Sequence, residues 1–399
     1  MFTKLKAFVC FALCGVILAG CAQGGGKQEE TTAPVTQAPT TEPVETTVPA
    51  TTSAPATADE AVRLDNRAIK QSLSEIEATL DGLIDKTAFK GAVYAKVGND
   101  FEYLKALGVA NEGTHVNNSA YIRFYAGSVT KLLTATAVMK LAEEKLLDIN
   151  ATIDKYFPNC SYAKNVTVKQ LLNMTSGIPD YICNARIDYR EVKKPVPELR
   201  GSLGGDYINN KTAVLSWILS QPVAAAEKPV FAYSESNYYL LGEIIAKASG
   251  KRYEDYVSAA IFKPAYMTKS GFGADDSVAN PYFPQGSEEL LDDGVGYSAF
   301  GLITNVSDLL KLIDGLLSYQ IISENSIKEI ITDNGSGFGY GVYVSGNSLL
   351  CIGKTDAYSA KLSFSDDKSR IFVALSNHCY SDPNWLHRLF QNYLEKFTT

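Results

Sequence analysis

The chain has 399 residues, 46% of them hydrophobic and 20% charged, with a formal net charge of −7. That length can hold one large core, and an acidic balance with no basic cluster argues against nucleic acid as a partner. Three histidines and seven cysteines show no ligand spacing of the kind a zinc site needs.

In chain order, residues 1–20 read as a secretion signal: Lys4 and Lys6 precede an apolar stretch from Ala7 to Gly20 that is too short for a stable membrane span. The ending Leu18-Ala19-Gly20-Cys21 resembles the lipobox of bacterial lipoproteins. That resemblance implies a lipidated Cys21 at the mature N-terminus and an extracytoplasmic chain anchored to the bacterial cell membrane. Residues 22–60 are almost wholly Thr, Pro, Ala, Val, Gly and Glu. Such a stretch buries too little apolar surface to fold, so 21–60 is expected to be a tether carrying a folded domain over 61–399.

Within that domain, Ile69, Leu73, Ile76, Leu80, Leu83 and Ile84 step by three and four, which predicts a helix near 64–86. Gly91–Val97 and Phe101–Leu107 read as strands joined by the Gly98-Asn99-Asp100 turn. A helix-rich middle follows, with helices expected from Ser128, over Val168–Met174, Ala213–Ser220, Tyr238–Ser249 and Ser307–Leu317. Residues 184–211 are polar and read as a long loop. Strands return at Gly339–Val344, Leu349–Lys354, Ala360–Ser365 and Ile371–Ser376, before a closing helix that carries Trp385, Leu386, Leu389, Phe390, Tyr393 and Leu394. The expected class is α/β of the α+β type: an antiparallel sheet built from both ends of the domain, flanked by helices, with a helical subdomain inserted between. Of the cysteines in the domain, Cys160, Cys183, Cys351 and Cys379 are either paired in an exported protein or buried as free thiols.

Ser128-Val-Thr-Lys131 stands at the head of an amphipathic run marked by Leu132, Leu133, Val138, Met139, Leu141 and Leu146. A helix there sets Lys131 one turn below Ser128 and points free backbone N–H groups at an anion forming beside the hydroxyl. A serine is a weak nucleophile until a neighbour takes its proton; the neighbour here is an amine. Ser161-Tyr-Ala-Lys164 and Ser365-Asp-Asp-Lys368 repeat the pattern but open no helix. His115, His378 and His387 lie in no nucleophile-elbow context and no Gly-x-Ser-x-Gly is present, so a Ser-His-Asp hydrolase is not expected.

Further motifs follow in order: Leu171-Leu-Asn-Met-Thr-Ser-Gly-Ile-Pro-Asp-Tyr181, Phe231-Ala-Tyr-Ser-Glu-Ser-Asn-Tyr-Tyr-Leu-Leu-Gly242, Ser298-Ala-Phe-Gly-Leu-Ile-Thr304 and Gly353-Lys-Thr-Asp-Ala357. With Phe124-Tyr-Ala-Gly-Ser-Val-Thr-Lys131, these make the chain resemble, over about 85–399, the serine β-lactamase and penicillin-binding superfamily. The branch it resembles holds class C β-lactamases, D-alanyl-D-alanine carboxypeptidases and related esterases. The resemblance implies a β-lactamase/transpeptidase-like fold and acyl transfer without metal or other cofactor. It makes Ser128 the acylated nucleophile, Lys131 the group that accepts or relays its proton, and Tyr233 the general base and acid. It gives Lys354 and Thr355 the substrate's carboxylate end, and the backbone N–H groups of Ser128 and Ala357 the oxyanion. Two nearby ammonium groups are expected to lower the Tyr233 phenol's pKa.

Two departures fall on the substrate side. The family's Tyr-x-Asn reads Tyr233-Ser234-Glu235 here, and a carboxylate at Glu235 only accepts where an amide also donates. If it points inward it opposes the lysines' effect on Tyr233. Tyr207-Ile-Asn209 matches that triplet but falls in the polar loop. The family's glycine after Lys-Thr is Asp356, on the Lys354 face of the strand by alternation. Class A β-lactamase is not expected, since no Glu-x-x-Leu-Asn segment is found, and efficient β-lactam hydrolysis is not expected beside Glu235 and Asp356. The expected function is therefore an extracytoplasmic serine hydrolase acting on a D-alanyl peptide, a β-lactam or a related amide or ester. The competing expectation is a catalytically inactive surface protein that binds wall peptides or a partner.

Overall fold

The computed structural model describes residues 73–99, 101–182, 205–223, 230–282, 293–355, 357–378 and 380–394, with the side chains of 205–210 and 293 excepted. All of these lie in the unit Ser72–Thr399. Residues 1–60, read as signal and tether and including Cys21, lie outside the described residues, as do Cys183, Asp356 and Cys379.

Helix α1 spans residues 73–84, where Ile76, Leu80 and Ile84 recur every fourth position on its buried side. Strands β1 (Gly91–Val97) and β2 (Phe101–Leu107) follow, then the short pair β3 (Val109–Asn111) and β4 (Val116–Asn117), and β5 (Phe124–Tyr125). Helices α2 (Thr130–Glu143), α3 (Val168–Leu172), α4 (Gly205–Ser220), α5 (Glu235–Ser249), α6 (Tyr253–Val257) and α7 (Asp293–Phe300) form the middle of the domain. After β6 (Ile303–Thr304) come α8 (Val306–Leu317) and α9 (Glu324–Ile331). Strands β7 (Tyr343–Ser345), β8 (Ser348–Lys354), β9 (Ser359–Ser365) and β10 (Arg370–Ser376) lead into the closing helix α10 (Pro383–Leu394).

The main sheet is antiparallel with strand order β2-β1-β10-β9-β8-β7, so the two ends of the domain meet where β1 pairs with β10, Val93 opposite Ala374. Both faces are covered, and alternation shares the side chains between them. Val93, Ala95, Phe372 and Ala374 pack with Ile76, Leu80 and Ile84 of α1 and with Leu386, Phe390 and Leu394 of α10. Ala92, Tyr94, Ala360, Leu362, Phe364, Val373 and Leu375 belong to the larger core that contains α2 and α5.

The expected class and layering hold, with several local corrections. Ser128 sits in a 3₁₀ turn over Gly127–Val129, and the α-helix starts at Thr130. That helix is not amphipathic: Thr130 through Met139 are all buried, because α2 runs through the core and not along its surface. Its threonines are accommodated by backbone carbonyls, Thr136 Oγ1 donating to Leu132 at 2.8 Å and Thr134 Oγ1 to Ser298 at 2.7 Å. Helix α4 begins at Gly205, inside the stretch read as loop, so Tyr207 and Asn209 are helical. Helix α5 begins at Glu235, three residues before the expected start. The strand expected over Gly339–Val344 is confined to Tyr343–Ser345. Helices α6, α7 and α9 were not anticipated. Tyr297 breaks α7 with φ 37° and ψ −129°, which hides its helical period. Cys160 and Cys351 are free and buried, and burial pushes the Cys351 thiol up to about 12.

Candidate active site

Strand β8 packs directly against the turn carrying Ser128. Two glycines permit the approach: a Cβ on Gly353 would stand 1.9 Å from the Ala126 carbonyl oxygen, and one on Gly127 2.6 Å from the Lys354 nitrogen. Gly127 also holds φ +55°, which favours glycine. Gly353 and Lys354, the start of the 353–357 motif, are thereby brought beside the Ser128 turn. Lys354 ends β8 and is exposed, Thr355 is half-buried, and Ala357 is buried in the turn beyond. Thr355 and Tyr358 close that turn, with Thr355 N–H donating to the Tyr358 carbonyl at 2.9 Å and Tyr358 N–H to Thr355 Oγ1 at 3.2 Å.

The opposite wall is the head of α5, and the 171–181 motif fixes it in place. Asp180 Oδ2 accepts the Glu235 N–H at 3.2 Å, Ser236 Oγ donates to the Pro179 carbonyl at 2.6 Å, and Ser176 Oγ donates to Asn237 Oδ1 at 2.5 Å. Sequence reasoning recognised this motif without assigning these roles. A buried Ser or Asp supplying a helix N-terminus is the local signal that carries them. Tyr233, two residues before the helix, packs its ring edge-on against Phe338.

Four polar groups converge. Lys131 Nζ donates to Ser128 Oγ at 2.9 Å, and Tyr233 Oη donates to the same oxygen at 3.1 Å. Ser128 Oγ in turn donates to Glu235 Oε1 at 3.4 Å. Lys131 Nζ forms a short ion pair with Glu235 Oε2 and donates to the Ala299 carbonyl at 3.0 Å. The ammonium's three N–H donors thus meet three acceptors. Burial pushes the Lys131 amine down and the Glu235 carboxyl up, and each shift is resisted by the partner's charge. Glu235 lies in the first turn of α5, where the helix's free N–H groups favour a carboxylate.

Glu235, expected among the substrate-binding residues, is 8% exposed and points inward, its carboxylate directed at Lys131 and Ser128. One expectation is corrected. The Tyr233 phenol, expected below its usual range, lies well above it, first because of burial and second because of the Glu235 charge. Lys131 does approach the Tyr233 ring, at 5.2 Å, but its charge is already paired with Glu235. Among the described residues, no group of three His, Cys, Asp or Glu side chains is placed to hold a metal ion.

The sequence model of the Beta-lactamase family matches residues 76–391. The chain belongs to that family, the serine hydrolase superfamily of β-lactamases and penicillin-binding proteins. It is 27% identical over 333 residues to PbpX of Bacillus subtilis (strain 168), which carries a penicillin-binding name, with 80% of each chain covered. Longer curated relatives are matched over 40% and 44% of their own length. Among solved structures, the penicillin-binding protein of Bacillus halodurans aligns with a TM-score of 0.63 at 23% identity, covering 80% of this chain and 98% of that one. The D-amino acid amidase of Ochrobactrum anthropi SV3, complexed with D-phenylalanine, aligns with a TM-score of 0.63 at 19% identity, covering 82% and 99%.

Proposed function

We propose that this chain hydrolyses an amide or ester through an acyl-enzyme on Ser128, at the outer face of a bacterial membrane to which Cys21 anchors it. The carrying observation is the Ser128 hydroxyl, held at once by Lys131 at 2.9 Å and Tyr233 at 3.1 Å at the head of a buried helix. A serine so placed has groups within reach to manage its proton, and a helix N-terminus beside it to stabilise an oxyanion. Lys354 and Thr355, set beside it by the close packing of β8, would take the substrate's carboxylate end. A tethered domain facing the wall makes a D-alanyl peptide, amide or ester the leading substrate class. The names of its relatives, penicillin-binding proteins and a D-amino acid amidase, accord with that reading.

The test is turnover by the full chain of a D-alanine amide, a D-alanyl-D-alanine peptide, a chromogenic D-alanyl ester and a cephalosporin, beside Ser128→Ala. Turnover of at least one substrate, lost in the variant, is the expected result. Binding of wall peptides with no Ser128-dependent rate on any of them would establish the inactive surface protein instead.

A further inference from the structure

We propose that Glu235 is the general base of this site: its carboxylate takes the Ser128 proton while Lys131 remains an ammonium and Tyr233 acts only as an acid. The inference rests on the reading of Ser128 as the acylated nucleophile and assigns the proton's route at that same centre.

The hydrogen bonds divide the roles. Both Lys131 and Tyr233 donate to Ser128 Oγ, and only Glu235 Oε1 accepts from it. An amine whose three protons are donated to Ser128, Glu235 and Ala299 has no lone pair free for a fourth. A phenol pushed well above its usual range by burial and by the Glu235 charge is a poor source of tyrosinate and remains protonated. The 3.4 Å Ser128–Glu235 separation is long, as such bonds are before substrate binds, and needs only a small side-chain movement to shorten. Glu235 takes the third position of the Tyr233-Ser234-Glu235 triplet, so the base stands where the superfamily has an amide.

The steps balance. As the Ser128 O–H bond breaks, Oγ bonds to the substrate's carbonyl carbon, its proton passes to Glu235 Oε1, and the carbonyl pair moves onto oxygen. Collapse of that intermediate expels the leaving group, which takes the Tyr233 phenolic proton. The proton held by Glu235 then restores the phenol, since the carboxylate and the phenol oxygen meet the same Ser128 oxygen. One proton has moved from Ser128 to the leaving group. In deacylation the attacking water gives a proton to Glu235 as the water oxygen bonds to the acyl carbon. The departing Ser128 Oγ takes the Tyr233 phenolic proton, and the proton on Glu235 restores the phenol.

The test is the rate at which a fluorophosphonate labels Ser128 in the full chain, read by intact mass. Fluoride departs without a proton, so this probe needs a base and no acid. The expected pattern is labelling of wild type, none in Ser128→Ala, a rate at least ~100-fold lower in Glu235→Gln, and a rate within about tenfold of wild type in Tyr233→Phe. Glu235→Gln labelling near the wild-type rate would overturn the proposal. So would Tyr233→Phe labelling as slowly as a base-deleted enzyme, and that variant removes no buried charge, so it decides the matter even where Glu235→Gln fails to fold. Wild type that labels in this pattern yet turns over no amide or ester would leave the relay standing and remove the hydrolase reading. Wild type that never labels would overturn both.

Discussion

Gly353 faces Ala126 so closely that a Cβ on the glycine would stand 1.9 Å from the Ala126 carbonyl oxygen, backbone against backbone. No side chain can rotate away to relieve that contact, so the spacing between β8 and the Ser128 turn is set by the absence of one atom. Gly353→Ala is expected to cost about 1–3 kcal/mol by forced separation. It should also lower Ser128 reactivity by roughly 100-fold, the scale associated with a 1 Å misplacement. Thermal unfolding and labelling of Ser128 measure the two effects together; a Gly353→Ala protein with wild-type Tm and reactivity would show that β8 does not set this geometry.

Lys131 and Glu235 form a buried pair, 1% and 8% exposed. Lys131→Met leaves the Glu235 carboxylate without its cation and is expected to destabilise by about 3–5 kcal/mol. The double change Lys131→Met with Glu235→Leu removes both charges and should recover most of that loss while remaining inactive. Equilibrium unfolding in urea checks the prediction: a double variant no more stable than Lys131→Met would mean that packing, and not the orphaned charge, governs the cost.

Lys361 on β9 is 5% exposed, donates to Asn384 Oδ1 at 2.9 Å, and has its amine pushed down to about 8 by burial, with the Arg388 charge adding to the effect. The folded state sheds this proton at about pH 8 and the unfolded chain only near 10.5. Between those values the unfolded chain binds more protons, so stability from this group rises with pH. The penalty is full below pH 8 and gone above 10.5, amounting to roughly 3 kcal/mol at about 1.4 kcal/mol per pH unit. Lys361→Met should therefore unfold at a higher temperature than wild type at pH 7, with the advantage shrinking by pH 10. An advantage independent of pH would assign it to packing.

The parts legible in the sequence are those that depend on periodicity and local order. Ile76, Leu80 and Ile84 announced α1, and strand-like runs at both ends of the domain announced a sheet joining them. Ser128, Lys131 and Tyr233 were found from motif order, and the fold brings them within hydrogen-bonding distance. What could not be read was the direction of Glu235. Its partner Lys131 lies 104 positions away, and no local pattern states whether a carboxylate at a helix start faces solvent or core. The Tyr233 phenol's shift followed from that same unread contact. The solvent-facing period expected of α2 failed for a related reason. Periodicity marks a helix with one wet face, and α2 has almost none.

Acylation of Ser128 is tested most directly by the intact mass of the full chain, quenched within seconds of mixing with a chromogenic D-alanyl ester and beside Ser128→Ala. The expected result is a single added acyl group on Ser128, absent from the variant and lost with time as the free acid appears. Ester consumed at equal rates by both proteins, or no adduct and no turnover in wild type, would contradict a Ser128 acyl-enzyme.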